Sequence, residues 1–460
     1  MAGTMVQRIA QWVLAFESAA VDARSIELMK HSVLDSLGCA ILTLDEDCVG
    51  GVLNFARSAG GSPQASLIGG GKLPLTLATL ANATLIRAID FNDHLALNPN
   101  TNAKLGGHPS DNLAAIMAVA EWRDLGGADV IAALLTSYEL YGRIYKFLTP
   151  ELPWDHTTTF GFTVPAVAAR LLGLDAGKTA HAIAISAAQS ASLGVVRRGQ
   201  LSHSKFLATA LVAERGAEAA QLAAAGVTGP MTVFEDARGI SKGIFRSEDD
   251  LESLVAPLGP LHMIEGVTIK AFPGMDTSQA AAEAAVKATA GRKLRASDIQ
   301  SIELIMNDHP MIIDQTSDPG RRAPHSRETA DHSIHYMVAV ALLDGEMTPR
   351  QFENGRWFDP DVCDLMTRMR VSIDPGWSKR APGGFPCTVR LKTLDGTETE
   401  VEVPFAAGHA RNKMNRDQVI EKFRHCVNER ISPAWADEII AAVNELDRMP
   451  SIRKLTKLIA

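Results

Sequence analysis

The sequence predicts a mainly α protein, in which a large all-α helical domain formed by both chain ends carries an inserted smaller α+β lid domain. Apolar residues recur at three- and four-residue spacing in residues 1–265 and again in 405–460, a spacing typical of amphipathic helices. Strand-like alternation appears within residues 266–404, which form the predicted lid. A chain of 460 residues is also long for one hydrophobic core, so two domains are expected.

The first part of the helical domain is built from alanine-rich segments. The predicted helices are 129–145, 164–172, 178–190 and 208–225. Gly173 and Gly226 stand at the ends of two of them, where a left-handed residue closes many helices. The abundance of alanine implies that these helices pack closely.

The character of the sequence changes near Glu265, where the lid begins. The predicted strands are 299–306, 369–373 and a hairpin over 387–403 that turns at Asp395-Gly396. The predicted lid helices are 280–288 and 329–343, the second closed by Gly345. After the lid the chain returns to helix, at 416–428 and 434–447.

Composition excludes several classes of function. The net charge is −8 and no Lys/Arg block occurs, so nucleic acid and anionic membrane surfaces are not expected as partners. No uninterrupted apolar stretch has the length of a membrane span. The five cysteines are scattered, which predicts no disulfide framework, metal site or iron–sulfur cluster and fits the reducing cytoplasm or a mitochondrial matrix.

One polar segment stands out as a candidate site. Asp90-Phe91-Asn92-Asp93 is followed, after a gap, by residues 106–112, Gly-Gly-His-Pro-Ser-Asp-Asn, and an apolar helical run. Pro109 disfavours helical geometry at His108 and Ser110 is a suitable N-cap, so His108 should lie just outside a helix N-terminus. Free backbone N–H groups and the helix dipole favour an anion there.

These motifs resemble the MmgE/PrpD family, whose members include 2-methylcitrate dehydratase, cis-aconitate decarboxylase and iminodisuccinate epimerase. The resemblance covers nearly the whole chain and returns, in order, at Asp35-Ser36-Leu37-Gly38, at 198–202 with Lys205, at 270–273 and at 327–336. It implies the two-domain arrangement predicted above, an active site between the domains and a homodimer. No cofactor or metal is implied.

The resemblance and the residue types together nominate the catalytic residues. Asp93 is predicted to accept a proton, although a solvated loop carboxylate is the alternative. His108 and His156 match active-site histidines of cis-aconitate decarboxylase, and each is predicted to precede a helix. Lys205 stands at the start of a helix, where its charge opposes the dipole, which argues against a purely structural purpose. A capping or surface position is the alternative for these three.

The candidate substrate-binding residues surround these four. Asp90 and Asn92 are predicted to support Asp93, while Arg197 (or Arg198) and Lys270 are predicted to hold substrate carboxylates. Three lid residues complete the set, namely Gln279, His332 and Tyr336, the last two spaced i, i+4 on one helical face. A core tyrosine with a satisfied hydroxyl is the alternative for Tyr336.

The chain departs from the family pattern at three places. His94 follows the Asp-Phe-Asn-Asp motif where a threonine is expected, and the gap from Asp93 to His108 is longer than expected. Gln279 replaces a histidine of cis-aconitate decarboxylase, which argues against decarboxylation. Thr277 stands near the expected position of a histidine of 2-methylcitrate dehydratase.

The predicted function is metal-independent dehydration of 2-methylcitrate or a related tricarboxylate. A base, either Asp93 or one of the histidines, takes the proton α to a carboxylate, and a histidine protonates the departing hydroxyl. The lysines and the helix ends hold the carboxylates and stabilise the enediolate charge. Decarboxylation of cis-aconitate and epimerisation of a dicarboxylate use related proton chemistry and stay open. Two alternatives of other classes are a metal-dependent hydrolase using His108, Asp90, Asp93 and His156, although no ligand-pair motif occurs, and a non-enzymatic helical scaffold.

Overall fold

This computed structural model describes residues 3–16, 21–148, 152–246, 251–290 and 292–460, and it confirms the predicted mainly α fold with a small sheet region. The helices before the lid are α1 Met5–Leu14, α2 Ala23–Leu42, α3 Asp47–Ser58, α4 Leu75–Arg87, α5 Leu113–Arg123, α6 Gly127–Tyr145, α7 Phe160–Leu171, α8 Ala176–Ala187 and α9 Ser204–Ala224. Four two-residue strands form two antiparallel pairs, β1 Ala65–Ser66 with β2 Lys72–Leu73, and β3 His94–Leu95 with β4 Val267–Thr268.

The lid segment packs helices against a four-stranded sheet of order β6-β5-β7-β8. Its strands are β5 Ile299–Met306, β6 Met369–Ile373, β7 Cys387–Thr393 and β8 Glu398–Val403. β5 pairs parallel with β6 and antiparallel with β7, and β7 and β8 form the predicted hairpin. The helices of this segment are α10 Gln279–Thr289, α11 Pro310–Ser317, α12 Pro319–Arg322, α13 Arg327–Ala330, α14 Ile334–Asp344, α15 Pro360–Arg368 and α16 Gly376–Arg380.

The chain ends in α17 Arg416–Val427, α18 Pro433–Asn444 and α19 Arg453–Ile459. α17 packs along α2, so the C-terminal segment joins the N-terminal helices. No helix in the described ranges has both the length and the apolar character needed to cross a membrane.

Most predicted elements occur within a few residues of their expected bounds, but the helix predicted at 329–343 is wrong. It is interrupted after α13, and α14 starts again at Ile334 because the Ser333 side chain accepts a hydrogen bond from Tyr336 N and caps a new helix. His332 therefore lies in the turn between the two helices, and it does not share a helical face with Tyr336.

Hydrophobic burial produces separate cores. One combines residues of the N-terminal helices with α17, α18 and α19, and a smaller one joins α1 to α7 and α8. The lid has its own core, made of buried residues between Met275 and Ala406. The domain boundaries at 266 and 404 stay a prediction.

The two connections between the parts run side by side. β4 pairs with β3, and just beyond it Ile269 N donates to Gly408 O at 3.0 Å on the returning connection. Gly408 has φ +82°, and a Cβ there would lie 1.8 Å from Ile269 O, so glycine is required for this approach. Lys270 follows immediately and is thereby placed at the junction.

Candidate active site

A cavity of about 570 Å³ lies between the helical part and the lid segment. The helical part contributes residues from 87–108, 152–156 and 193–198, and the lid contributes residues from 275–277, 311–321 and 332 together with Phe385. Several of the predicted site residues therefore converge, as expected for a site between the two parts.

At the floor of the cavity is a network of buried charges, here called the Asp90 cluster: Asp90, Arg87, Lys205, Lys270, Asp331 and His332. Arg87 Nη1 and Lys270 Nζ both donate to Asp90 Oδ1, at 2.7 and 2.6 Å. Lys205 Nζ lies 3.3 Å from Asp90 Oδ2. Burial would raise the pKa of Asp90, but these cations outweigh it and hold the pKa well below its ordinary value.

Lys205 and Lys270 are both fully buried, and the ammonium group of each contacts more than one acceptor oxygen. Lys205 Nζ contacts the two carboxylate oxygens of Asp331 at 2.7 and 2.9 Å. Lys270 Nζ also donates to Asp90 O at 2.8 Å, which stabilises the left-handed backbone of Asp90 at φ +53°. The Asp90 cluster as defined holds three cations and two carboxylates, so it carries one more positive than negative charge. A further buried carboxyl, Asp111, lies 3.7 Å from Arg87 Nε, and burial raises the pKa of Asp111 to about 7.

His332 connects the cluster to the cavity surface. Its Nδ1 donates to Asp331 Oδ1, and its Nε2 lies 3.4 Å from Asp90 Oδ2. Burial, followed by the charge of Lys205, lowers the pKa of His332 to about 3. His332 is therefore neutral at physiological pH, with its single N–H on Nδ1 donated to Asp331 and an unprotonated Nε2 facing Asp90.

His108 has a defined tautomer. Its Nδ1 bonds to Asp93 O, and because a carbonyl can only accept, Nδ1 carries the proton. Nε2 is then unprotonated and lies 3.5 Å from Asp90 Oδ1 at the cavity. Burial, Arg87 and Lys270 lower the pKa of His108 well below its ordinary value, so the ring is a neutral potential base.

His156 stands beside His108, with ring centroids 5.7 Å apart. It opens a 3₁₀ turn, His156–Thr159, that leads into α7, and its Nδ1 lies 3.5 Å from Asp155 Oδ1. Arg197 Nε holds that carboxylate at 2.9 Å. His156 Nε2 is buried and has no hydrogen-bond partner in the described part of the chain, so it is available to a ligand.

Asp93 does not line the cavity, so the geometry gives no support to the prediction that it accepts the substrate proton. Tyr138 OH and Ser32 Oγ donate to Oδ2 at 2.7 and 2.9 Å, and Ser110 N donates to Oδ1 at 3.2 Å. Both carboxylate oxygens of Asp93 thus accept hydrogen bonds from within the protein. Asp93 instead acts through its carbonyl, which orients His108.

Three predicted substrate contacts are also turned away from the cavity. Asn92 Nδ2 donates to Ser110 Oγ at 2.9 Å and to Asp111 Oδ1 at 2.8 Å. The side-chain amide of Gln279 accepts from Phe272 N and donates to Phe272 O.

Ser110 is not the N-cap that was predicted. It lies inside the 3₁₀ turn Pro109–Asn112 that precedes α5.

Tyr336 is the third, and it is a core residue of the lid. Its hydroxyl donates to Gln351 O and its ring packs against Phe352 at 5.6 Å between centroids. The side chain is fully buried. This geometry gives no support to the predicted substrate contact at Tyr336, and it fits the alternative of a core tyrosine with a satisfied hydroxyl.

The loop 90–93 is also anchored by a lysine of the C-terminal helix α17. Lys422 of α17 donates to Phe91 O at 2.8 Å and lies 3.8 Å from the centroid of the Phe91 ring. Its ammonium forms a 2.5 Å ion pair with Asp35 of α2. Burial raises the pKa of Asp35 to about 6, against the pull of Lys422. This contact gives the Asp35-Ser36-Leu37-Gly38 motif a structural purpose.

Sequence reasoning missed a second group of cavity residues, here called the Lys104 subsite: Lys104, His94, Asp276 and Phe385. His94 Nδ1 lies 3.4 Å from Asp276 Oδ2, and the His94 ring is 5.7 Å from that of His108. Lys104 comes from the long gap between Asp93 and His108. One feature of the sequence could have indicated Lys104: it is a lysine within a gap that is already longer than expected.

One set of donor atoms could geometrically hold a metal ion, because atoms of Asp90, Asp331 and His332 lie within 4.8 Å of one another. However, the ammonium groups of Lys205 and Lys270 already contact these carboxylates at 2.6–3.3 Å. They would repel a divalent cation. The donor set therefore forms an ion-pair network, and the four residues considered for a metal-dependent hydrolase do not converge, because Asp93 faces away.

Comparison with known proteins finds sequences that are similar over most of this chain. A 2-methylcitrate dehydratase of Cupriavidus necator is 27% identical over 454 residues, covering 92% of this chain and 90% of that protein. A cis-aconitate decarboxylase of Mus musculus is 25% identical, with coverages of 94% and 89%, and a 2-methylcitrate dehydratase of Escherichia coli K12 is 26% identical, with coverages of 86% and 84%.

Two family models match in sequence order. The MmgE/PrpD N-terminal domain matches residues 7–252, and the MmgE/PrpD C-terminal domain matches residues 272–448. The second match begins close to the junction at Lys270 and extends through the lid into the C-terminal helices. Because the two matches together span most of its length, the chain belongs to the MmgE/PrpD family.

Proposed function

We propose that this protein is a metal-independent hydro-lyase that dehydrates 2-methylcitrate or a related tricarboxylate. The relatives at 25–27% identity are named as a dehydratase and a decarboxylase, both lyases. The proposal also includes a homodimer located in the cytoplasm or a mitochondrial matrix. The bacterial relatives and a mitochondrial 2-methylcitrate dehydratase of Yarrowia lipolytica, 27% identical, support that location.

The observation that carries the proposal is the bond from His108 Nδ1 to Asp93 O. It leaves an unprotonated Nε2 at the cavity, next to a cluster with surplus positive charge. A neutral imidazole in that position can remove a proton α to a carboxylate, and the cations of the Asp90 cluster stabilise the enediolate that forms. His108 thus replaces Asp93 as the proposed base.

His156 is the proposed acid. Burial lowers its pKa, but the carboxylate of Asp155 acts in the opposite direction and favours the imidazolium. His108 has a carbonyl on its Nδ1 and two cations nearby, so it is the poorer proton holder of the two. In the reaction, the carbon-bound proton passes to His108 Nε2 and the carbon–oxygen bond breaks. His156 enters this step as the imidazolium and gives its Nε2 proton to the departing hydroxyl, which releases water and leaves His156 neutral.

The carboxylates of the substrate are proposed to lie along the cations that line the cavity. Lys270 and Arg87 are on the floor, and Arg197 is on the opposite side of His156. Lys205 does not line the cavity. Its proposed role is to hold Asp90 and Asp331 in place, which positions the other cations.

Decarboxylation of cis-aconitate is the second candidate, favoured by the similarity to the Mus musculus enzyme over 94% of this chain. The argument from Gln279 against decarboxylation loses its force, because that side chain bonds to Phe272 and does not reach the cavity. Epimerisation of a dicarboxylate would use the same histidine pair.

The test is the ultraviolet absorbance of the unsaturated product, measured with chelator-treated protein and 2-methylcitrate, citrate or isocitrate. We expect absorbance to rise with one substrate and kcat to fall roughly 10²–10⁴-fold in His108→Ala, the range for loss of a general base. His425→Ala, an exposed histidine far along the chain on α17, is the matched control. Flat traces with all three substrates would overturn dehydration, and release of CO₂ from cis-aconitate would then support the second candidate.

A further inference from the structure

Lys104 is a buried cation without a hydrogen-bonded partner. Its Nζ is inaccessible to water and has no hydrogen-bond partner among the residues that the structure describes. It rests 3.0 Å from the centroid of the Phe385 ring. The loop that carries it is anchored, because Lys104 pairs with Leu97 in an antiparallel bridge and Arg411 donates to Asn102.

The other cations around the cavity differ from Lys104 in this respect. Arg87 and Lys270 each have a carboxylate oxygen of Asp90 within 2.7 Å, and Arg197 has one of Asp155 at 2.9 Å. Burial of an ammonium without hydrogen bonds costs several kcal/mol, and proteins rarely retain one without a function.

The surroundings of Lys104 supply little compensating charge. Asp276 is the carboxylate that acts on it, from a distance too long for an ion pair, and the facing histidines are His94, His309 and His409. Burial lowers the pKa of each of these histidines to about 4, so they are neutral. Burial likewise lowers the pKa of Lys104, to about 8, so most of the lysine is still charged near pH 7.

We propose that Lys104 binds a carboxylate of the substrate that is remote from the reacting carbon, and that it thereby selects tricarboxylates over dicarboxylates. The Asp90 cluster holds the carboxylates at the reacting end, while the Lys104 subsite receives the additional one. The long lysine stem allows the ammonium to swing from the Phe385 ring to a ligand that enters the cavity. This inference rests on the proposed function for the identity of the site.

The test compares two ligands that cannot lose water because they have no hydroxyl group. Tricarballylate carries three carboxylates and glutarate carries two, and their Kd values are measured by titration calorimetry. In Lys104→Met we expect the Kd of tricarballylate to rise roughly 10–100-fold, as for loss of one charged hydrogen bond. The Kd of glutarate should change less than about 3-fold, and Lys104→Arg should recover most of the tricarballylate affinity.

Lys413→Met is the matched control. Burial lowers the pKa of Lys413 to about 8, as for Lys104, but Lys413 donates to Glu265 O at 2.7 Å and does not line the cavity. We expect its tricarballylate affinity to be that of the wild type. In thermal unfolding without ligand, Lys104→Met should be as stable as the wild type or more so, because it removes an unpaired buried charge.

The outcomes separate this inference from the proposed function. Unchanged tricarballylate affinity in Lys104→Met, or an equal loss for both ligands, would overturn the role of Lys104 even if the wild type dehydrates a tricarboxylate. A selective loss would support that role even if no dehydration is observed. If Lys104→Met fails to fold, Lys104 is a structural residue and the inference is overturned.

Discussion

The two ends of the cavity handle charge in opposite ways. In the Asp90 cluster, buried cations and carboxylates contact one another at 2.6–3.3 Å, and the pKa of Asp90 is held low. In the Lys104 subsite, a buried ammonium lies over an aromatic ring and has no hydrogen-bond partner among the described residues. A saturated network fixes geometry before a ligand arrives, whereas an unsatisfied group gains a partner when the ligand binds. The difference assigns positioning to one end and selection to the other.

The largest effect is expected from Asp90→Asn. Removing this carboxylate leaves Lys270 and Arg87 without their shared countercharge, so we expect a loss of about 3–5 kcal/mol in the free energy of unfolding. The displaced cations should also lower kcat/KM by at least about 100-fold. Urea denaturation and the absorbance assay measure the two effects.

The control is Asp314→Asn, because Asp314 also lines the cavity but is an exposed partner of Arg198. We expect a change of less than about 1 kcal/mol there. A stable and active Asp90→Asn protein would break the comparison, since it would mean that the cations of the Asp90 cluster do not depend on it.

An intermediate effect concerns acid sensitivity. Burial lowers the pKa of His409 to about 4. As the pH falls below about 6.5, His409 therefore binds a proton in the unfolded chain but stays neutral in the folded protein. Its contribution to stability is therefore present above pH 6.5 and is lost as the pH falls from 6.5 towards 4. Between pH 7.5 and 5.0 this histidine should account for about 2 kcal/mol of lost stability.

Urea denaturation of His409→Gln at the two pH values checks this, with the exposed His425→Gln as control. The His409 variant should lose less stability on acidification than the wild type, and the control should lose the same amount. Asp90 cannot explain the loss, because a carboxylate whose pKa is lowered contributes to stability until the pH falls below about 4. Identical behaviour of all three proteins would contradict the assignment to a neutral buried histidine.

The smallest effect is expected from Tyr336→Phe. It removes a hydroxyl that donates to Gln351 O, which should cost about 1 kcal/mol in the free energy of unfolding. The values of kcat and KM should stay within about 2-fold of the wild type, because the ring lies in the lid core, away from both ends of the cavity. A large loss of activity without loss of stability would instead support the predicted contact between Tyr336 and the substrate.

Sequence patterns predicted the fold more reliably than they predicted side-chain directions. Strands β5 and β6 have the expected bounds, and in β5 the alternation follows from one buried face, whereas in β6 only Met369 is buried. The interruption before Ile334 was missed, because both halves of 329–343 have helical character and the break depends on one serine cap. The short helices α11 and α12 were also missed, since they carry too few apolar residues to show a period.

The structure brings some of the predicted site residues to the cavity and turns others away from it. His108, His156, Lys270 and Arg197 do line one cavity. Asp93 was nominated as the base from the Asp-Phe-Asn-Asp motif and the family resemblance, yet Ser32 and Tyr138, far apart in sequence, both donate to its carboxylate. Such capture depends on tertiary contacts, which a local motif does not encode. The same reason explains why Lys104 was not found.

The paired connections at Ile269 and Gly408 have a consequence for the placement of Lys270. The two crossings between the helical part and the lid segment are joined there by a backbone hydrogen bond. Lys270 is the next residue, so its position against Asp90 is set by the main chain as well as by its 2.6 Å ion pair. Near Met311 the two parts are instead joined through side chains, by the ion pair of Arg198 with Asp314 and by the hydrogen bond from Arg321 to Arg197 O. The two sides of the cavity are thus held together by different kinds of contact, main chain at one and side chain at the other.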